Sequence, residues 1–270
     1  MKNNIVELYG PPGVGKSTLL RALSLKRSIK NPEFLSPTEA FNEYRFKWFS
    51  HYASQYSVKA FLSRMPRIQY LLYRNQNQFY NYHDIARKLD IKAKEYLEFC
   101  LNNDCSEIDS PIYRIKALNW ILDVMGYYLL NHYTKCKIPV LFLDEGFLQK
   151  IFSVTSVNNR IQQNQYIENM PKANGYIFIN APIQTIIKRL NKRQNSGGKV
   201  TLRHNLLSND NIMRKDTGMI RTAFVDLTTH LKSYNIPILV IDSTHDADLN
   251  SNLIYTFIKD KIYSSSTSYN

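Results

Sequence analysis

Short apolar runs recur along the chain, separated by longer stretches in which apolar residues return every three or four positions. Ile5-Val6-Glu7-Leu8-Tyr9, Val140-Leu141-Phe142-Leu143, Gly175-Tyr176-Ile177-Phe178-Ile179 and Ile238-Leu239-Val240-Ile241 are nearly continuous rather than alternating, the pattern of strands covered on both faces of a parallel sheet. Leu19, Leu20 and Leu23 begin a helical series directly after the first run. Ile85, Leu89, Ala93, Tyr96, Leu97 and Cys100 form one stripe within residues 83–103, and Ile115, Leu118, Leu122, Met125 and Leu129 form another. The second predicts a long helix packed on the sheet, with Ser110 as its N-cap and Pro111 in its first turn. Three further helices are predicted by Ile183, Ile186, Ile187 and Leu190, by Ile220, Phe224, Leu227 and Leu231, and by Leu249, Leu253, Ile254, Phe257 and Ile258. Strands alternating with helices in this way predict a three-layer α/β fold with a mostly parallel sheet. Phe34-Leu35, in a two-proline loop over residues 31–39, adds a short second strand ending near Thr38-Glu39. Residues 264–270 read as a polar, frayed tail.

The first candidate chemistry lies at the junction of the first run and the first helix. Gly10-Pro11-Pro12-Gly13-Val14-Gly15-Lys16-Ser17-Thr18 completes the G-x-x-x-x-G-K-[ST] pattern of a phosphate-binding loop. Between a strand and a helix, its glycines let successive backbone N–H groups converge on nucleotide phosphates. Lys16 can reach the outer phosphates, and the Ser17 hydroxyl can ligate Mg²⁺. The second apolar run ends in Asp144-Glu145, as a buried parallel strand does when it presents carboxylates at its C-terminal edge. In that position Asp144 would hold Mg²⁺ opposite Ser17, and Glu145 would orient an acceptor or a water.

With 270 residues and 44% hydrophobic content, the chain can form one large domain over residues 1–270. Three cysteines, Cys100, Cys105 and Cys136, lack metal-ligand spacing, and no secretory apolar segment follows Met1. The expected setting is therefore a reducing cytoplasm, without structural disulfide or zinc. Residues 117–134 are too polar for a membrane span.

A formal net charge of +13 attracts nucleic acid, anionic membrane surfaces and phosphorylated substrates alike. Much of it lies in residues 45–82, where Arg45, Lys47, Lys59, Arg64, Arg67 and Arg74 face no acidic residue in sequence. Aromatic residues, among them Trp48, Phe49, Tyr52, Tyr56, Tyr70 and Tyr73, are interleaved with them. This predicts a helical insertion over residues 40–110 in which Arg45, Arg64, Arg67 and Arg74 hold an anionic, ring-containing acceptor. The same composition suits single-stranded nucleic acid, and the rings would equally serve as the insertion's own small core. Farther on, Lys188, Arg189, Lys192, Arg193, Lys199 and Arg203 surround Gln194-Asn195-Ser196-Gly197-Gly198. Residues 188–205 thus read as a mobile lid bringing cations over transferring phosphates, or as a solvated basic helix end.

The ordered set comprises residues 10–18, the Asp144 strand, the strand ending at Asn180 before Pro182, the R-x-x-x-R pair Arg189 and Arg193, and the late strand reaching Asp242. Together these resemble the P-loop nucleoside and nucleotide kinases, most of all the thymidylate-kinase-like group. The resemblance implies ATP and Mg²⁺ as co-substrates and a substrate lobe inserted between the first helix and the Asp144 strand. It also implies Lys16 as the stabiliser of the moving phosphoryl group, Arg189 and Arg193 as lid arginines, and the Ser243-Thr244 turn beside the adenine. Family members usually carry arginine just after the Walker B acid, where this chain has Glu145-Gly146, and their substrate region is shorter. A GTPase N-K-x-D motif is not met by Asn191-Lys192-Arg193-Gln194, and Ser196-Gly197-Gly198-Lys199 follows the Asp144 strand and lacks the glutamine of a transporter signature.

The function expected is transfer of the γ-phosphoryl group of ATP to a nucleoside, nucleotide or sugar. A hydroxyl acceptor requires a general base, for which Glu39 and Glu145 are the candidates, whereas a phosphate acceptor is already ionised. Two alternatives stay open: a kinase acting on a polymer or lipid-linked glycan, and a nucleic-acid-binding ATPase in which Glu145 activates water. A homodimer is compatible with all three. The cleft is expected to run from the Gly13 loop toward Arg45, Arg64 and Arg67.

Overall fold

The computed structural model describes residues 4–26, 34, 91–102, 111–133, 140–196 and 210–263. The four apolar runs form strands β1 (Asn4–Tyr9), β2 (Val140–Leu143), β3 (Gly175–Asn180) and β4 (Ile238–Asp242), all parallel, in the order β2-β1-β3-β4. β1 has neighbours on both sides, with Glu7 opposite Leu143 of β2 and Tyr176 of β3. A parallel order of this kind requires each connection to cross a face of the sheet, and helices make those crossings. They are α1 (Lys16–Lys26), α2 (Ile91–Asn102), α3 (Pro111–Tyr133), α4 (Phe147–Val154), α5 (Arg160–Asn169), α6 (Ile183–Asn195), α7 (Asp210–Lys232) and α8 (Ala247–Phe257). A π-helical segment, Ile258–Tyr263, continues α8. Helices on both sides of a parallel sheet make the three-layer α/β/α arrangement of P-loop proteins.

The pleat divides the core in two. Ile5 and Tyr9 of β1 join Leu141, Leu143, Tyr176 and Phe178 against α2, α3, α4, α5 and α7. Val6 and Leu8 join Val140, Phe142, Ile177 and Ile179 against α1, α6 and α8. The ends of all four strands point the same way, so the β1–α1 loop, Asp144, Asn180 and Asp242 meet along one edge of the sheet. This is where parallel α/β sheets bind ligands.

Two helices bury part of the stripe their spacing predicts and turn the rest outward. In α3, Ile115 is 61% exposed, and the buried face is Tyr113, Ala117, Ile121, Val124 and Met125. The Tyr128 hydroxyl is drawn inward to Glu7 on β1, at 2.6 Å, and Tyr113 and Ala117 share the interface with Ile121, Val124 and Met125, with Leu118 packed at its margin. In α8, Ile254 and Phe257 are buried as expected, with Ile258 following them, but Leu249 and Leu253 are exposed and Asn250 and Ser251 join the buried face. There the Asn250 amide donates to the carbonyl of Asp242 at 2.8 Å, anchoring the helix start on β4. Of the short strand expected after α1, only Phe34 is described; it is buried with its ring centroid 5.6 Å from that of Phe142. Residues 35–39 and 40–90 lie outside the described residues, as do 103–110 of the expected insertion.

Candidate nucleotide site

Gly10, Gly13 and Gly15 take φ values of 149°, 79° and 109°, a backbone that side-chain-bearing residues rarely adopt. The loop they form turns back over the C-terminal end of β1 into α1. In this conformation Lys16 folds onto the loop itself, its ammonium donating to the carbonyls of Gly10 at 2.8 Å and Pro11 at 3.3 Å. Burial pulls the Lys16 ammonium down to about 8, with Glu145 and Asp144 acting against that shift and Lys150 reinforcing it. Ser17 and Thr18, in the first turn of α1, are exposed.

A cleft of about 670 Å³ opens above this loop. Gly13, Gly15, Lys16, Ser17 and Thr18 line one side; Glu145, Arg189, Arg193 and Ser243 also border it. Arg189, on α6, is not a free lid cation. Its guanidinium donates to the Val14 carbonyl at 2.6 Å and to Ser243 Oγ and O, each at 2.8 Å, so it ties the phosphate loop to the turn after β4. Ser243 Oγ donates in turn to the Val14 carbonyl at 2.6 Å. Arg193, one turn later, is exposed at the rim. Thr244 caps the strand end instead of lining the cleft, donating through N and Oγ1 to Asp242 Oδ1 at 2.8 and 2.7 Å. These bonds hold the Asp242 carboxyl below its ordinary range. Of the remaining lid, residues 197–205 lie outside the described residues, as do Glu39, Arg45, Arg64, Arg67 and Arg74.

Asp144 and Glu145 follow β2 and are exposed at the sheet edge. Although one side of Asp144 is open to solvent, partial desolvation beside the sheet and the neighbouring Glu145 raise its carboxyl. Glu145 is ion-paired with Lys150 on α4, whose ammonium also lies 5.1 Å from the Trp120 ring centroid. Cation–π attraction and the ion pair together hold Lys150 beside the acids.

Behind these acids lies a polar cluster that the sequence reading did not single out. Glu7 is fully buried in the middle of β1. Its carboxylate accepts from the N–H groups of Phe147 and Leu148, both at 3.0 Å, and from the Tyr128 hydroxyl at 2.6 Å. Burial pushes the Glu7 carboxyl up, opposed by these three donors and by Lys172. The N-cap of α4 is Gly146, which has no side chain to offer, so Glu7 supplies from another strand the acceptors a helix start requires. The absence of a side chain is also steric: a Cβ on Gly146 would fall 2.1 Å from Glu7 Cδ. Tyr96 donates to Tyr166 at 2.6 Å, and Tyr166 donates to the Phe147 carbonyl at 2.7 Å, completing the support of the helix start. From the first turn of α4, Gln149 reaches back to the phosphate loop, its Oε1 accepting from Gly10 N at 2.9 Å. Glu7 was visible in the sequence as a lone acid in an apolar strand, and Gln149 as an amide five residues after Asp144. Arg221 of α7 was not singled out either; its Nε donates to Asn180 Oδ1 at 2.9 Å and to the Ala181 carbonyl at 2.8 Å, fixing the end of β3.

No family model and no curated protein sequence matches the chain. Among solved structures, it is similar to deoxyadenosine kinase from M. mycoides with bound dATP, at 14% identity and TM-score 0.45, over 95% of this chain and 100% of the other. The same kinase with dCMP and dCDP bound gives 14% identity and TM-score 0.48, covering 94% and 98%. With bound dCTP it gives 16% identity and TM-score 0.45, again covering 94% and 98%. Among the described residues, no helix is long and apolar enough to cross a membrane.

Proposed function

We propose that the protein is a P-loop kinase of the nucleoside and nucleotide kinase type, transferring the γ-phosphoryl group of ATP to a small acceptor. The observation that carries this reading is the convergence on one cleft of the phosphate loop, the Lys16 ammonium and the Glu145 end of the acidic turn. The donor set suits Mg²⁺: Ser17 offers a hydroxyl and Asp144 a carboxylate, both hard oxygen ligands open to solvent and able to share the ion with water and phosphate. When bound, the ion would neutralise charge on the outer phosphates. Lys16 leaves the Gly10 and Pro11 carbonyls for those phosphates, and the loop N–H groups orient them. Arg189 holds the loop against the Ser243 turn, the side on which an adenine would rest, and Arg193 supplies the rim cation.

Glu145 bears on the rival reading as a water-activating ATPase. Its carboxylate is held by Lys150, so a role as general base would require that pair to open. A small-molecule kinase with a phosphate acceptor needs no such base. In the expected substrate lobe, Arg45, Arg64, Arg67 and Arg74 would bind the acceptor's anionic group.

An acceptor screen with labelled ATP tests the reading. Wild-type protein should label a nucleoside, nucleotide or sugar, and Lys16→Ala should lower that rate by roughly 100-fold or more, the scale of losing a principal charge-stabilising donor. ATP hydrolysis without labelling of any such acceptor would refute it, and stimulation of that hydrolysis by oligonucleotides would favour the nucleic-acid-dependent alternative.

A further inference from the structure

Gln149 stands at a place that the phosphate-loop motif does not account for. It leaves the first turn of α4 and meets the loop at Gly10, the residue that also receives Lys16. The Lys16 ammonium occupies the carbonyl of Gly10 at 2.8 Å, and Gln149 Oε1 occupies its N–H at 2.9 Å. Both side chains line the same cleft, together with Glu145.

A backbone N–H can only donate, so the end of the amide facing Gly10 is its oxygen. That assignment leaves the Nε2 group, with two N–H donors, at the other end of the fork, and it has no hydrogen-bond partner among the described residues. The amide cannot turn freely, because its anchor and its helix are both fixed. Phe147 and Leu148, the residues preceding it, donate their N–H groups to the buried Glu7, and Tyr166 holds the Phe147 carbonyl. Gln149 is therefore a neutral donor of fixed direction placed beside the ammonium that serves the outer phosphates.

Besides glutamine, only asparagine and neutral histidine among the uncharged planar side chains pair an acceptor for Gly10 with a separate N–H donor. A glutamate at this position would keep the Gly10 bond but turn a negative oxygen toward the phosphates. A lysine or arginine would lose the bond to Gly10 and place a second cation beside Lys16, whose ammonium is already weakened by burial and by Lys150.

We propose that Gln149 Nε2 donates to a γ-phosphoryl oxygen of the bound nucleoside triphosphate and so helps the site distinguish ATP from ADP. This rests on the phosphate-loop reading above. ADP has no γ-phosphoryl group, so the contact is made by the triphosphate alone, while the Gly10 bond serves both nucleotides.

Calorimetric titration of Mg-ADP and of the Mg complex of the non-hydrolysable β,γ-imido analogue of ATP, into wild type, Gln149→Glu and Gln149→Met, separates the two roles. Gln149→Glu retains the acceptor for Gly10. It should bind ADP within about threefold of wild type and the triphosphate analogue at least tenfold more weakly, as expected for loss of a charge-assisted hydrogen bond. Gln149→Met loses both contacts, and should weaken both nucleotides with the larger loss for the triphosphate. Because glutamate also repels the γ-phosphoryl oxygens, the uncharged variant decides: an unchanged ratio of the two affinities in Gln149→Met would overturn the proposal and leave Gln149 as a loop anchor alone. Should the methionine variant fail to fold, as thermal melting would report, Gln149→Ala, which likewise removes the amide without adding charge, takes its place. Failure of the wild type to bind either nucleotide is a different result, one that removes the phosphate-loop reading itself and this inference with it.

Discussion

The two faces of β1 are built on different principles. Val6 and Leu8 enter a layer of valine, leucine, isoleucine and phenylalanine that also receives Val14, Leu19 and Leu23, and nothing in that buried cluster ionises. Ile5, Glu7 and Tyr9 face the other way, into a layer where Tyr9, Tyr128, Tyr166 and Tyr176 surround one carboxylate and Tyr96 backs Tyr166. There the hydroxyls are committed in fixed directions. Thr228 donates to the Phe224 carbonyl at 2.6 Å, so Tyr9, 2.7 Å from Thr228 Oγ1, must donate to it. The aliphatic face requires volume, whereas the aromatic face requires particular donors opposite particular acceptors. Only the second carries the start of α4, and with it the acidic turn and the amide that touches the phosphate loop. Burying a carboxylate there costs desolvation, and what it contributes is a helix start fixed relative to β1.

Breaking the comparison at its centre should give the largest effect. Glu7→Ala leaves the Tyr128 hydroxyl and two buried N–H groups without an acceptor, a loss of about 4 kcal/mol at 1–3 kcal/mol for each group after partial relaxation. Urea denaturation measures it, and a loss below about 1 kcal/mol would mean that the cluster is not what holds α4.

A sharper contrast comes from neighbours of opposite facing. Glu7→Gln keeps the shape but sets an NH₂ group against an N–H donor, and should cost roughly 1–3 kcal/mol. Leu8→Ile, equally conservative on the aliphatic face, should cost less than about 1.5 kcal/mol. Equal costs in the same denaturant series would erase the distinction between the two faces.

The smallest effect concerns charge. Lys16 has its ammonium lowered to about 8 in the free protein. The sign follows from which form binds: phosphates take the ammonium, so affinity is full below about pH 8 and declines as the free protein loses that proton at higher pH. The decline approaches tenfold, or about 1.4 kcal/mol, per pH unit. Fluorescent-nucleotide binding between pH 7 and 9.5 reads this directly. A flat profile would place the Lys16 ammonium at its ordinary lysine value, and Asp144→Asn should move the decline to lower pH by removing a carboxylate that supports the charge.

Much of the sheet was legible because burial on both faces leaves little room for polar residues in a strand. The runs at Ile5, Val140, Gly175 and Ile238 became the four parallel strands. The phosphate loop was legible for a related reason: positive φ at three positions demands glycine, so its geometry is written in residue types. Helix existence was easier to read than helix phase. Met125 of the α3 stripe and Ile254, Phe257 and Ile258 of the α8 stripe are buried, but Ile115, Leu249 and Leu253 are exposed, and tyrosine, alanine, asparagine and serine share the buried faces. Hydrophobic spacing identifies an apolar stripe but does not register a hydroxyl or amide that meets a partner distant in sequence. Two short helices, α4 and α5, went unread, since α4 is eight residues of mostly apolar sequence and α5 is mainly polar.

Arg189 shows the same division within the site. Its place in an R-x-x-x-R helix suggested a mobile cation, and folding brings it across 175 residues onto the Val14 carbonyl, where it serves as a brace. The sequence by itself determined what local backbone geometry and two-sided burial demand: the strands, the loop and its lysine, and the acids at a strand end. The tertiary structure alone decided the pairings of Glu7 with α4, of Gln149 with Gly10 and of Arg189 with Ser243. A hydrogen bond needs its partner within about 3 Å, and for groups separated by 54 to 175 residues only the packed fold sets that distance.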